Sequence, residues 1–101
     1  GMAERPMMME YSEGQGKYDY HIDLGPSRLA STRKLGFTLF LNDEYEGGEF
    51  QIKTGRENYI PPQQETGNLL FFPSYLVHRV TLVTKGTRSV LVGWIHGNSF
   101  M

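Results

Sequence analysis

Short apolar and aromatic runs, broken every few residues by Gly, Pro, Asn or Asp, constrain the fold of this chain more than any other feature. The runs fall at residues 7–11, 18–22, 35–41, 48–53, 68–72, 76–81 and 88–95, with a shorter one at 57–60. None keeps a helical period over the roughly ten residues that a surface helix needs, and short runs between turn formers predict strands. The pattern therefore predicts an all-β domain, a sandwich or a barrel. SEGQGK at 12–17 reads as a tight connection and NDEYEGG at 42–48 as a loop whose glycine pair supplies a positive φ or a bulge. LGPSRLASTRK at 24–34 reads as a longer polar loop, and TKG at 84–86 turns the last hairpin. The only helix expected is a turn or two at the N-terminus or in the long loop.

Composition narrows the class. A chain of 101 residues, 39% hydrophobic and 21% charged, is expected to form one globular domain. Ten basic against 11 acidic residues give a net charge of -1, without the basic footprint of a nucleic-acid binder. The absence of cysteine removes disulfides and thiolate metal sites and agrees with a cytoplasmic setting. No run of about 18 apolar residues is present to span a membrane, and GMAERPMMME has no signal-peptide core. Gly1 before Met2 reads as a tag remnant, so residues 1–10 form an N-terminal segment and 11–101 the domain.

The candidate chemistry starts at YDYHID, residues 18–23, where His21 and Asp23 stand two apart. Residues at that spacing share one face of a strand. The pair alone is weak, because chance produces one in about one such chain in ten. His78 lies in another strand, in YLVHRVTLV, and a β-barrel can bring distant strands together. Two histidines and a carboxylate on one face, with other positions open, are the donor set of non-heme Fe(II) oxygenases; zinc accepts the same donors. Arg88 opens the last strand, in KGTRSVLVGW. Its guanidinium is a fixed fork for a carboxylate. An exposed edge-strand arginine is the plainer reading of that residue taken alone.

Four blocks in order carry a family resemblance: Y-x-x-G-x-x-K-Y-x-x-H-x-D over 11–23, TLFLNDEYEGGEF over 38–50, GNLLFFPSYLVHRVTLVTKGTR over 67–88 and GWIHG over 93–97. In them the chain resembles the Fe(II)/2-oxoglutarate dioxygenases, within them the prolyl 4-hydroxylase-like superfamily, and most of all the PKHD-type hydroxylases of bacteria and phage. The resemblance implies a double-stranded β-helix, or jelly roll, in a minimal version with few or no N-terminal helices. It implies His21, Asp23 and His78 as catalytic iron ligands and Arg88 as the partner of the distal carboxylate of 2-oxoglutarate. Tyr11, Trp94 and, as a hydroxyl donor, Thr38 would line the co-substrate pocket. Fe(II), 2-oxoglutarate and ascorbate as reductant are the implied cofactors. The implied reaction hydroxylates an unactivated carbon and releases succinate and CO2. Asp23 argues for hydroxylation over halogenation, since halogenases of this kind resemble the same fold with a small residue there. The substrate is a prolyl residue of a peptide or protein at family level, with small molecules open, because fold does not fix function.

Two departures stand out against that family. Phe40 occupies a position where some relatives carry a tyrosine that helps bind the carboxylate, and Val90 stands where others have a serine. Larger relatives set helices against the outer sheet, while little precedes Tyr11 here. The outer face is thus expected bare or covered by a second copy in a homo-oligomer, and PMMME at 6–10 reads as a first core strand. His96 reads as structural or solvent-facing. GQGK at 14–17 lacks the spacing of a phosphate loop. The loop over 24–34, with Arg28, Arg33 and Lys34, reads as a substrate lid or a plain solvated loop. A cupin-like metal-binding module, or an interaction domain without turnover, is the alternative reading of the whole chain.

Overall fold

Alternation along each strand sorts the side chains of this chain between two faces, and the buried faces meet. A computed structural model describes residues 4–16 and 33–97. Those residues form nine strands and no helix: β1 (Met7–Tyr11), β2 (Arg33–Phe40), β3 (Glu46–Gly47), β4 (Phe50–Thr54), β5 (Glu57–Tyr59), β6 (Leu69–Pro73), β7 (His78–Val80), β8 (Val83–Lys85) and β9 (Arg88–His96). A four-stranded sheet runs β1-β9-β2-β6, a three-stranded sheet β5-β4-β7, and β3 pairs with β8. Every pairing is antiparallel.

The inward residues follow the period of two that a half-buried strand requires. On β2 they are Gly36, Thr38 and Phe40; on β4, Phe50 and Ile52; on β7, His78 and Val80; on β9, Arg88 and Val90. Phe50, Ile52, Phe72 and Val80 form one buried cluster between the two larger sheets, with Leu70 and Leu76 against it. Gly36 is required there. A Cβ at this position would stand 2.6 Å from Cζ of Phe72, its cross-strand partner, so the missing side chain makes room for the ring. The Gln64 side chain completes β4 by accepting from the Phe50 N–H at 2.9 Å and donating to the Phe50 carbonyl at 3.0 Å.

The all-β expectation holds, and the differences lie in short elements. Residues 46–47 were expected in a loop and 84–85 in a turn; they belong to β3 and β8. These strands are too short for alternation to reveal. The glycine pair behaves as expected on both counts: Gly47 and Gly48 have φ of 71° and 60°, and the register shifts at Glu46/Gly47. Arg33 and Lys34, expected in the long loop, begin β2. The strand expected at 18–22 and the loop over 24–32 lie outside the described residues. β1 forms where expected, but as an edge strand with Met7 and Met8 exposed rather than as a core strand.

The outer face of the four-stranded sheet is apolar. By register Met8, Leu91, Leu39 and Leu69 make one row across it, with Phe37 and Phe71 beside them. Phe71 is 50% exposed and Phe50 only 2%. Phe50→Ala is expected to cost about 3–5 kcal/mol, and Phe71→Ala less than about 1 kcal/mol. Thermal denaturation followed by circular dichroism checks the contrast. Equal losses would show that the outer face is covered in solution.

Candidate functional site

A cavity of about 90 Å³ lies between the two larger sheets, and its lining includes Tyr11, Thr38, His78, Arg88 and Trp94. The four-stranded sheet contributes all of these except His78, which comes from β7 across the core.

Arg88 is the first residue of β9, opposite Tyr11 at the end of β1. It is only 2% exposed, and its Nε has no hydrogen-bond partner among the described residues. Burying a cation without full compensation is costly. Burial pushes its pKa down, while the phenols of Tyr45 and, more weakly, Tyr11 push it back. The rings of Tyr11 and Phe40 each lie 5.7 Å from the guanidinium carbon, near the outer limit of cation–π attraction. Among the described residues, the groups that favour its charge are phenols, not carboxylates. A buried fork with an unsatisfied donor, lining a cavity, is suited to receive an anion.

His78 is 4% exposed. Its Nδ1–H donates to the Leu76 carbonyl at 2.9 Å. A carbonyl can only accept, so this bond places a proton on Nδ1; in a neutral ring the lone pair is then on Nε2, as a metal-binding imidazole requires. Phe50 stacks on the imidazole with ring centres 5.3 Å apart, and Phe72 meets it at 4.8 Å. The ring is thus held by a hydrogen bond and two aromatic walls. His21 and Asp23 lie outside the described residues.

The remaining sequence candidates fall around the same cavity. Thr38 is 4% exposed and shares the inward face of β2 with Phe40. Tyr11 has its pKa raised by burial, with Arg88 opposing. Trp94 lines the cavity but also carries the Arg33 guanidinium 3.9 Å above its ring. Arg33, expected in the polar loop over 24–34, instead binds Glu4 through Nη2 at 2.6 Å and Nε at 2.9 Å. His96 completes the cluster, its Nε2 2.9 Å from Glu4 Oε2. Of the two readings offered for His96, the structural one holds.

Two polar residues at this site were missed in the sequence. Asn42 donates to the Thr87 carbonyl at 2.7 Å and accepts from the Ser89 N–H at 2.8 Å, so it grips the backbone on both sides of Arg88. The Tyr45 ring and the Arg88 stem both lie against Gly48, and a Cβ there would stand 3.1 Å from Tyr45 Cε1 and 2.9 Å from Arg88 Cδ. A lone aromatic inside the polar stretch NDEYEGG was the available signal.

Comparison with known proteins agrees with this geometry. The sequence profile of the 2OG-Fe(II) oxygenase superfamily matches residues 6–96. A PKHD-type hydroxylase of Synechococcus sp. (strain CC9311) is 42% identical over 91 residues, covering 87% of this chain and 40% of that protein. A PKHD-type hydroxylase of Prochlorococcus marinus is 41% identical over 93 residues, covering 88% of this chain and 40% of that protein. The chain thus spans about 40% of the length of these curated relatives. The crystal structure of a Pseudomonas putida prolyl-4-hydroxylase superposes with a TM-score of 0.74 at 22% identity, covering 92% of this chain and 52% of that one. That likeness establishes the fold, in agreement with the jelly-roll expectation.

The Glu4 cluster makes a pH-dependent prediction. Its carboxyl is held below the ordinary value of 4.5, first by the Arg33 hydrogen bonds and then by His96, with burial opposing. A lowered carboxylate pKa contributes stability that is complete above 4.5 and lost as pH falls through the lowered value. Glu4→Gln is expected to lower Tm at pH 7 by up to about 6 °C, equivalent to no more than about 1 kcal/mol. Melting curves from pH 7 down to pH ~3 check it, because the gap between the two proteins should close as pH drops.

Proposed function

The chain belongs to the 2OG-Fe(II) oxygenase superfamily, and from that membership we propose that it is the catalytic domain of a hydroxylase that uses Fe(II) and 2-oxoglutarate. The observation that carries the reading is the pairing, in one cavity, of a buried arginine with an unsatisfied Nε and a buried histidine with its proton on Nδ1. The first suits a carboxylate and the second a metal, so the residues present fit both groups.

His78 would ligate iron through Nε2, with His21 and Asp23 as the other protein ligands. Iron, once bound, supplies the redox and O2 chemistry that no side chain here can perform. Arg88 would take the distal carboxylate of 2-oxoglutarate on its fork, satisfying the donor that has no partner among the described residues. Tyr11 and Thr38 offer hydroxyls to the same ligand, and Trp94 walls it. Phe50 and Phe72 hold the His78 ring and keep water from its flanks. The overall reaction converts a substrate C–H to C–OH, with 2-oxoglutarate and O2 going to succinate and CO2. Ascorbate fits as the reductant that keeps iron ferrous. A prolyl residue of a peptide or protein is the substrate class favoured by the likeness to PKHD-type hydroxylases and to a prolyl-4-hydroxylase fold.

Anaerobic titration with Fe(II) and 2-oxoglutarate tests the proposal. The wild-type protein is expected to develop a weak visible band near roughly 500 nm from the metal chelate. Arg88→Met should keep iron binding and weaken 2-oxoglutarate by at least about tenfold, and His78→Ala should lose iron. Iron binding without the band in the wild-type protein would point instead to a cupin-like binding module without turnover.

A further inference from the structure

We propose that Arg33, held in plane by Glu4, is the positioning residue for Trp94 and fixes the indole as the cavity wall against which 2-oxoglutarate lies; this rests on the function proposed above.

Arg88, Val90, Val92 and Trp94 recur at every second residue of β9, so they share its inward face. All but Val90 line the cavity. Trp94 is only half-buried, whereas Arg88 and Val90 are buried. Its cross-strand partner on β2 is Gly36, which brings no side chain of its own against the indole. Support comes from Arg33 at the start of β2, whose guanidinium carbon lies 3.9 Å from the centre of the Trp94 ring. That is stacking distance, well inside the reach of about 6 Å for a cation over an aromatic face. It is also closer than the 5.7 Å between Arg88 and the Tyr11 ring.

The guanidinium is held against rotation. Its Nε donates to one carboxylate oxygen of Glu4 at 2.9 Å and its Nη2 to the other at 2.6 Å, a two-bond fork that fixes the plane of the group. His96, two residues beyond Trp94 on the same face, has its Nε2 2.9 Å from the Glu4 oxygen that accepts from Nε. The register sets His96 opposite Arg33. The carboxylate is therefore tied to β2 and β9 at once, by side chains that are between 7% and 21% exposed. A planar cation locked against a ring face limits rotation of that ring. A wall fixed before the ligand arrives loses less entropy on binding. Glu4, ahead of the first strand, thus bears on the cavity through Arg33 and Trp94.

Trp94 is the single tryptophan of the chain, so tryptophan fluorescence reports on this indole alone. The experiment combines time-resolved fluorescence anisotropy of the full chain with anaerobic calorimetric titration of 2-oxoglutarate into its Fe(II)-loaded form, for wild type, Arg33→Met and Glu4→Gln. Arg33→Met keeps a long side chain and removes the cation. Glu4→Gln keeps the cation and loosens its hold, and it carries the test if Arg33→Met fails to fold. In wild type the indole is expected to tumble with the domain. In Arg33→Met the amplitude of fast local motion should rise at least about twofold, and the Kd for 2-oxoglutarate about two- to fivefold. Glu4→Gln should shift both in the same direction by less, and iron affinity should stay unchanged. Unaltered anisotropy in the folded variants overturns the inference, and so does a loosened indole with an unaltered Kd. A raised Kd with weaker iron binding also overturns it, because it marks general damage to the site. If wild type does not bind 2-oxoglutarate, the proposed function itself falls and this inference with it, a result visible without any variant.

Discussion

Arg88 places a positive charge almost wholly out of solvent, and much of the surrounding structure is a response to that. The effective penalty for desolvating such an ion is several kcal/mol. A carboxylate partner would remove most of it, yet the groups that favour the charge among the described residues are the Tyr45 and Tyr11 phenols. Asn42 holds the flanking backbone, Gly48 makes room along the stem, and the Tyr11 and Phe40 rings close the sides. The compensation is partial: the unsatisfied Nε keeps a strong preference for an anion.

The site is divided between two sheets, which ties its geometry to the hydrophobic core. The four-stranded sheet carries Tyr11, Thr38, Arg88 and Trp94, and the three-stranded sheet carries His78. Phe50 and Phe72 belong to opposite sheets, belong to the buried cluster, and both touch the His78 ring. The same contacts that join the sheets therefore orient the imidazole. Packed aromatic rings have few alternative arrangements at interior density, so the separation between histidine and arginine is set by packing as much as by chain connectivity. At the far end of β9, the Arg33–Glu4–His96 cluster ties the start of β2 to the N-terminal segment. Arg33 closes that end over Trp94.

Strand character, the all-β class and the principal breaks between strands were legible in the sequence, because a period of two and the conformational demands of glycine are local properties of a chain. That is why Met7–Tyr11, the last strand from Arg88 onward, and the positive φ at Gly47 and Gly48 were readable from residues alone. The tertiary structure decided what local pattern cannot encode. It paired β3 with β8, strands of two and three residues that exist only because a partner is present. It drew Arg33 out of an apparent loop into β2 and onto Trp94. It brought Asn42, which read as a loop residue, to the backbone on both sides of Arg88. Each of these contacts joins segments far apart in the chain. Its energy depends on register and loop closure across the whole domain, and no window of sequence contains that information.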